Sequence, residues 1–152
     1  MPPHLLQVPH RQQQADGDCL AACAAMVLSY CQRDVSYDSL LQLLRVQSFG
    51  APAGNIRFLS RFSVTVTYST TNMSGLISFL DQGDPVIVFV RTGELPYWEY
   101  ETDHAVVVVG SDDGHVYVND PDRAGAPIRV PKGDFELAWL ERDYAYAVIR
   151  QA

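Results

Sequence analysis

At 152 residues the chain has the size of one domain. Its composition, 47% hydrophobic and 19% charged, supports a single core and excludes a disordered chain, a collagen-like repeat and a coiled coil. A net charge of −7, with Lys132 the only lysine among eleven basic residues, disfavours nucleic acid and acidic membrane surfaces, which need concentrated cations. The longest apolar runs, 20–28 and 105–109, fall short of the ~18 residues of a membrane span.

The N-terminus lacks the basic patch and apolar run of a secretory signal. Cys19, Cys23 and Cys31 lie within one short segment instead of tying distant parts together, so reduced thiols and a cytoplasmic protein are expected. Residues 1–17, rich in Pro, Gln and Asp, read as an extended approach, giving an N-terminal arm over 1–12 and a single domain over 13–152. Leu20, Cys23, Val27 and Cys31 then recur at helical spacing among alanines, which predicts a buried helix with Asp18 as N-cap. Ser36 starts a second predicted helix over 36–46, with Leu40, Leu43 and Leu44 as its apolar stripe.

Residues 49–54 break the chain, and Asn55 is placed to cap a short helix ending at Phe62. A β-branched, alternating stretch over 63–68 predicts a strand. A helix over 72–80, ended by Gly83, and a buried strand over 85–91 follow. A loop rich in aromatic residues, with Leu95, Pro96, Tyr97 and Trp98, leads to strands over 103–110, 115–119 and 126–130. A short helix near 134–140 and a strand over 144–149 end the chain. Helices first and mostly antiparallel strands last predict an α+β fold.

A thiol in the first turn of a helix meets unpaired N–H groups and the positive dipole end, which favour thiolate; that singles out Cys19. Free cysteines more often pack into cores, and that is the reading for Cys23 and Cys31, beyond the first turn. Metal capture by the three has little support, with no Cys-x2-Cys pair and no nearby His. His104 opens a valine-rich strand, where an imidazole can face a cleft while its strand enters the core. Asp120 ends the following strand, and a carboxylate accepting the Nδ1–H of a histidine would fix its tautomer.

Hairpin geometry connects these two. A three-residue loop over 112–114 makes Ser111 face His115 and puts Asp120 diagonally beside His104 on the face of Val106, Val108, Val116 and Val118. A two-residue turn shifts the register by one and offers Asn119 instead. The three-residue reading, with Asp120, keeps the apolar set on one side. Among Gln12, Gln13 and Gln14, a side-chain amide lies close enough to Cys19 to serve as an oxyanion donor.

Gln13, Asp18-Cys19, Met26, the run from His104 to Val109 and Asp120-Pro121 appear in the order found in the papain-like cysteine peptidases. The chain resembles in particular the C39 or C39-like family, the bacteriocin-leader-processing type, from about Gln13 to the end. That resemblance implies a papain-like fold with Cys19 as nucleophile, His104 as general base and acid, Asp120 as orienter and Gln13 as oxyanion donor. It implies hydrolysis of a peptide or protein substrate and no metal or organic cofactor. Leu20 stands where the family has glycine, and the exporter fused to leader-processing members has no counterpart in this sequence. Amide hydrolysis or acyl transfer on a small molecule would use the same thioester, and a catalytically inactive peptide-binding module would keep the fold alone. The loop 95–98, immediately before His104, reads either as a wall of the substrate groove or as packing beneath a long loop.

Overall fold

Strands with continuous apolar sequence need cover on both faces, and 86–91 and 103–111 are such strands. The structure, a computed structural model, describes residues 4–152. Among these residues the chain forms α1 (Cys19–Tyr30), α2 (Tyr37–Leu43), β1 (Val64–Thr70), α3 (Met73–Asp81), β2 (Val86–Arg91), β3 (Asp103–Ser111), β4 (His115–Asn119), β5 (Ile128–Pro131), α4 (Lys132–Leu140) and β6 (Ala145–Gln151). Tight 3-10 helices cover Ala53–Phe62 and Thr92–Glu94. The strands make one sheet in the order β1-β6-β2-β3-β4-β5, every neighbouring pair antiparallel.

Two cores result, one on each face. Ile87, Phe89, Ala105, Val107 and Val109 pack with α1, α2 and the 53–62 segment. Val86, Val88, Val90, Val106 and Val108 pack with α3 and α4. The α+β expectation holds, as a sheet sandwiched between helical layers. The apolar positions on β3 therefore point both ways, and α1 is apolar nearly all round because it is buried nearly all round.

Most limits shift by one or two residues, and three departures have a clear local reason. The helix from 36 stops at Leu43 because Arg45 turns left-handed (φ 58°), and Arg45 N–H and Val46 N–H bond back to the carbonyls of Gln42 and Leu41. Asn55 does not cap the 53–62 segment; its Nδ2 donates to the Leu44 carbonyl at 2.9 Å and ties that segment to the end of α2. β5 starts at Ile128 rather than 126 because Pro127 has no N–H to give a ladder.

The β3–β4 hairpin combines both sequence readings. Near the sheet end Val107 faces Asn119 and Val108 faces Val118, the favoured register, whereas at the tip Ser111 faces Val116 and not His115. A bulge between Val108 and Gly110 absorbs the extra residue. Of the arm expected over 1–12, residues 1–3 lie outside the described residues. From Leu5 onward it runs beside the bulge, with Leu5 bridging Gly110 and Leu6 N–H donating to the Val109 carbonyl at 2.8 Å.

Trp139 fixes α4 to the sheet. It is fully buried, its Nε1 donates to the Ala145 carbonyl at 2.9 Å, and its ring packs edge-on against Tyr144 at 5.1 Å. Replacing it with Ala removes both the packing and the donor. The expected cost is about 3–5 kcal/mol, read from urea denaturation midpoints, with Phe recovering most of it.

Candidate active site

In an antiparallel hairpin the start of one strand lies beside the end of the next, so His104 at the start of β3 and Asp120 just past β4 share one end of the sheet. The first turn of α1 arrives at that end, bringing Cys19. The loop from 92 to 102, joining β2 to β3, closes over it. Thr92 cinches the loop at its neck: its hydroxyl donates to the Tyr100 carbonyl at 2.6 Å and accepts from Thr102 N–H at 2.9 Å.

His104 Nε2 and Asp120 Oδ1 are 2.7 Å apart, and both side chains are buried. The imidazole also lies beside Cys19, whose thiol is partly exposed and whose interaction with the ring helps raise the ring's pKa. The ring orientation corrects the expectation: Nε2, not Nδ1, meets the carboxylate, which leaves Nδ1 for the sulfur. Asn119 is not the partner; its Nδ2 donates to the Val8 carbonyl at 3.2 Å.

Asp120 is fully buried, and its oxygens gather four donors. Tyr97 Oη–H (2.6 Å) and Trp98 Nε1–H (2.9 Å) reach Oδ2, while His104 and Asp122 N–H (2.9 Å) reach Oδ1. Burial alone would raise its pKa, but the bonds from His104, Tyr97 and Trp98 hold it below the ordinary carboxylate value. For His104, burial pulls the pKa down, and the bonds and charges of Asp120 and Cys19 overcome this to push it up to about 9. The Trp98 ring lies 4.8 Å from the imidazole at 60°, an edge-on contact between the two rings.

Upstream of Cys19, Asp18 sits at the N-cap position without capping. Its carboxylate accepts from Gln14 N–H (3.1 Å), Ala15 N–H (2.8 Å) and Tyr37 Oη–H, which tightens the turn that precedes the helix. Gln13 lines the cleft, and its amide nitrogen donates to the carbonyls of Ala15 (2.9 Å) and Asp16 (3.2 Å) within that turn. Gly17 is required for space: a Cβ there would lie 2.5 and 2.6 Å from the carbonyl oxygens of Gln47 and Ser48. The backbone at 47–50 thus packs directly on the approach to Cys19.

These parts border a cleft of about 460 Å³ lined by Gln13, Cys19, Trp98 and His104, with residues 48–53 among its other walls. Leu20 borders it too, but its side chain is buried in the core at 3% exposure. Cys23 and Cys31 are buried, and burial is the main cause raising both their pKa values. The aromatic loop does more than the sequence suggested: Leu95 packs into the core, Trp98 lines the cleft, and Tyr97 and Trp98 both grip Asp120. Their signal was chemical, since each is a large apolar ring with one polar donor, a type that seeks a partner when buried.

A sequence model described as the Peptidase_C39 like family matches residues 5–147. No curated protein sequence gives a significant match. Among solved structures, a chain from Bacillus anthracis assigned as a C39-like peptidase superposes with a TM-score of 0.83 at 19% identity, covering 100% of this chain and 99% of that one. The peptidase domain of Streptococcus ComA, a bi-functional ABC transporter of a quorum-sensing pathway, gives 0.79 at 21% identity, over 96% of this chain and 100% of that one. A double-glycine-motif protease from an AMS/PCAT transporter, in complex with its leader peptide, gives 0.76 at 20%, over 100% and 99%. At these identities the likeness is one of fold.

Two outcomes follow from the geometry. His104 is held above its ordinary 6.5, so its proton stabilises the fold fully below that value and the contribution is lost as pH rises through about 9. Asp120 is held below its ordinary 3.8, so its contribution is present above that value and fades as pH falls through the depressed one. An NMR titration of the His104 ring should give a pKa of about 9, falling toward the ordinary value in Asp120→Asn. Gly17→Ala should push the 47–50 backbone away and cost about 1–3 kcal/mol in denaturation experiments, whereas Gly133→Ala, with open space around it, should cost under about 1 kcal/mol.

Proposed function

The chain belongs to the peptidase C39-like family, and we propose that it is a cysteine peptidase in which Cys19 is the nucleophile, His104 its proton partner, Asp120 the orienter and Gln13 an oxyanion donor. One observation carries the proposal: a single imidazole pairs with a buried carboxylate at 2.7 Å and lies beside a helix-tip thiol at the cleft. His104 takes the proton of the Cys19 thiol, and a ring pKa pushed up to about 9 favours holding that proton there.

The sulfur of Cys19 attacks the carbonyl carbon of a peptide bond, and the carbonyl oxygen takes up negative charge. The Cys19 N–H, among the first in its helix and without an intrahelical acceptor, is one donor to that oxygen. Gln13 is the second, once its amide turns from the carbonyls of Ala15 and Asp16 toward the cleft. His104 gives its proton to the departing amine, then takes one from the water that opens the thioester. Asp120 keeps the ring aligned through both transfers. No step calls for a metal or an organic cofactor.

A peptide substrate suits a cleft lined both by polar groups, Gln13 and Asp103 among them, and by the aromatic rings of Trp98 and Tyr100. The complex of the AMS/PCAT protease with its leader peptide supports the same choice by analogy. We further propose that residues 13–152 constitute the peptidase domain, with 1–12 as its arm, and that its free thiols operate in a reducing, cytoplasmic setting.

Alkylation and cleavage test the reading together. At about pH 6.5, iodoacetamide should modify Cys19 while Cys23 and Cys31 stay protected, and His104→Ala should slow that modification at least about tenfold. A random peptide library should be cut by the wild type and left whole by Cys19→Ala. Equal labelling of all three thiols, or cutting that survives loss of Cys19, would overturn the proposal.

A further inference from the structure

The Asp120 carboxylate is only as steady as the donors gripping it, and two of these ride on the 92–102 loop. Arg123 bolts that loop to the turn carrying Asp120. Its Nη2 donates to the Tyr97 carbonyl at 2.8 Å, and its guanidinium lies 5.6 Å from the Tyr97 ring centroid and 5.2 Å from that of Trp98. Its backbone N–H donates to the Asp120 carbonyl at 3.0 Å. The contacts close a circuit: the turn leads to the guanidinium, the guanidinium to Tyr97 and Trp98, and these two return to Asp120.

The guanidinium makes one long ion pair, Nη1 to Asp122 Oδ2 at 3.8 Å, and its shorter contact is the bond to the Tyr97 carbonyl. The cation over the Tyr97 and Trp98 rings and its bond to the Tyr97 carbonyl hold the guanidinium against the loop. The arm secures Arg123 from outside. His10 Nε2 lies 2.6 Å from the Arg123 carbonyl, which can only accept, so that nitrogen carries the hydrogen. Three residues on, Gln13 N–H donates to the Pro121 carbonyl at 2.8 Å.

We propose that Arg123 is a positioning residue for the His104–Asp120 pair, acting through Tyr97 and Trp98, with His10 of the arm fixing its backbone. The proposal rests on the peptidase reading above. Without the guanidinium the loop rocks, the carboxylate turns with it, and the imidazole leaves the line between sulfur and leaving group. A displacement of this kind costs up to about 10²-fold in rate. Neither Arg123 nor Tyr97 lines the cleft, so substrate affinity stays nearly unchanged.

The test uses the full chain and one peptide that the wild type cleaves. Arg123→Ala should lower kcat about 10–100-fold with KM within about twofold, and Arg123→Lys should recover part of the loss by keeping a cation over the rings. In an Asp120→Asn background, Arg123→Ala should change kcat by less than about twofold, because the path is already cut. A wild-type kcat in Arg123→Ala, or the whole loss persisting beside Asp120→Asn, overturns the proposal. Should Arg123→Ala fail to fold by circular dichroism, His10→Ala should show the same kcat loss, smaller in size and with the same dependence on Asp120; an unchanged kcat there is equally fatal. Iodoacetamide rates at Cys19 separate the two readings. A wild type that cuts nothing sinks the peptidase, whereas unaltered alkylation in Arg123→Ala sinks the positioning role.

Discussion

A carboxylate with no solvent contact is the constraint from which the rest of the site follows. Burying Asp120 charged costs several kcal/mol unless its lone pairs are filled, and four donors from three stretches of chain fill them. Each donor has a structural consequence. Tyr97 and Trp98 oblige the β2–β3 connection to fold inward and not out into solvent. The Asp122 N–H requires a turn directly after β4. The fourth donor, His104, is thereby given a fixed direction and a reason to stay protonated. Without the carboxylate, burial would drive that imidazole neutral.

The register of β3 against β4 decides which residue becomes that carboxylate. Side chains alternate along a strand, so a slip of one residue would exchange Asp120 for Asn119 beside His104. The bulge between Val108 and Gly110 lets the site end keep one register and the tip another. The same irregularity frees the Val109 carbonyl for Leu6 and brings the arm against Gly110, where a Cβ would lie 2.6 Å from Leu5 Cδ2 and 2.9 Å from the His4 carbonyl oxygen. The arm can therefore lie close only because residue 110 has no side chain. One local distortion thus serves both the alignment of the acid and the seating of the segment that leads to Gln13.

Features carried by short stretches were legible in the sequence. The apolar pattern after Cys19 announced α1, Ser36 does cap its helix, and strand alternation with turn residues brought His104 and Asp120 within reach of each other. Features that depend on distant backbone were not. Nothing near Gly17 reveals that residues 47–50 will press against it. Gln32 and Arg45 end their helices left-handed, at positions where glycine is the usual sign, so α2 read too long. Tyr97 and Trp98 looked like packing because the acid they bind lies over twenty residues away in sequence. The bulge had a faint signal in Gly110, a glycine inside a strand. The choice between imidazole nitrogens had none, since it depends on the direction from which the ring is approached.

Among the described residues, the buried side-chain atoms left without a hydrogen bond are His10 Nδ1, Gln13 Oε1 and Arg123 Nε. All three lie where the arm meets the turn carrying Asp120, and none lies in the two cores. At this junction the Arg123 guanidinium reaches the Tyr97 and Trp98 rings, and Gln13 supports the turn before Cys19. Gln13 stands at the same junction: its amide N–H groups stabilise the approach to the helix, and under the proposed mechanism one of them would turn to an oxyanion in the cleft.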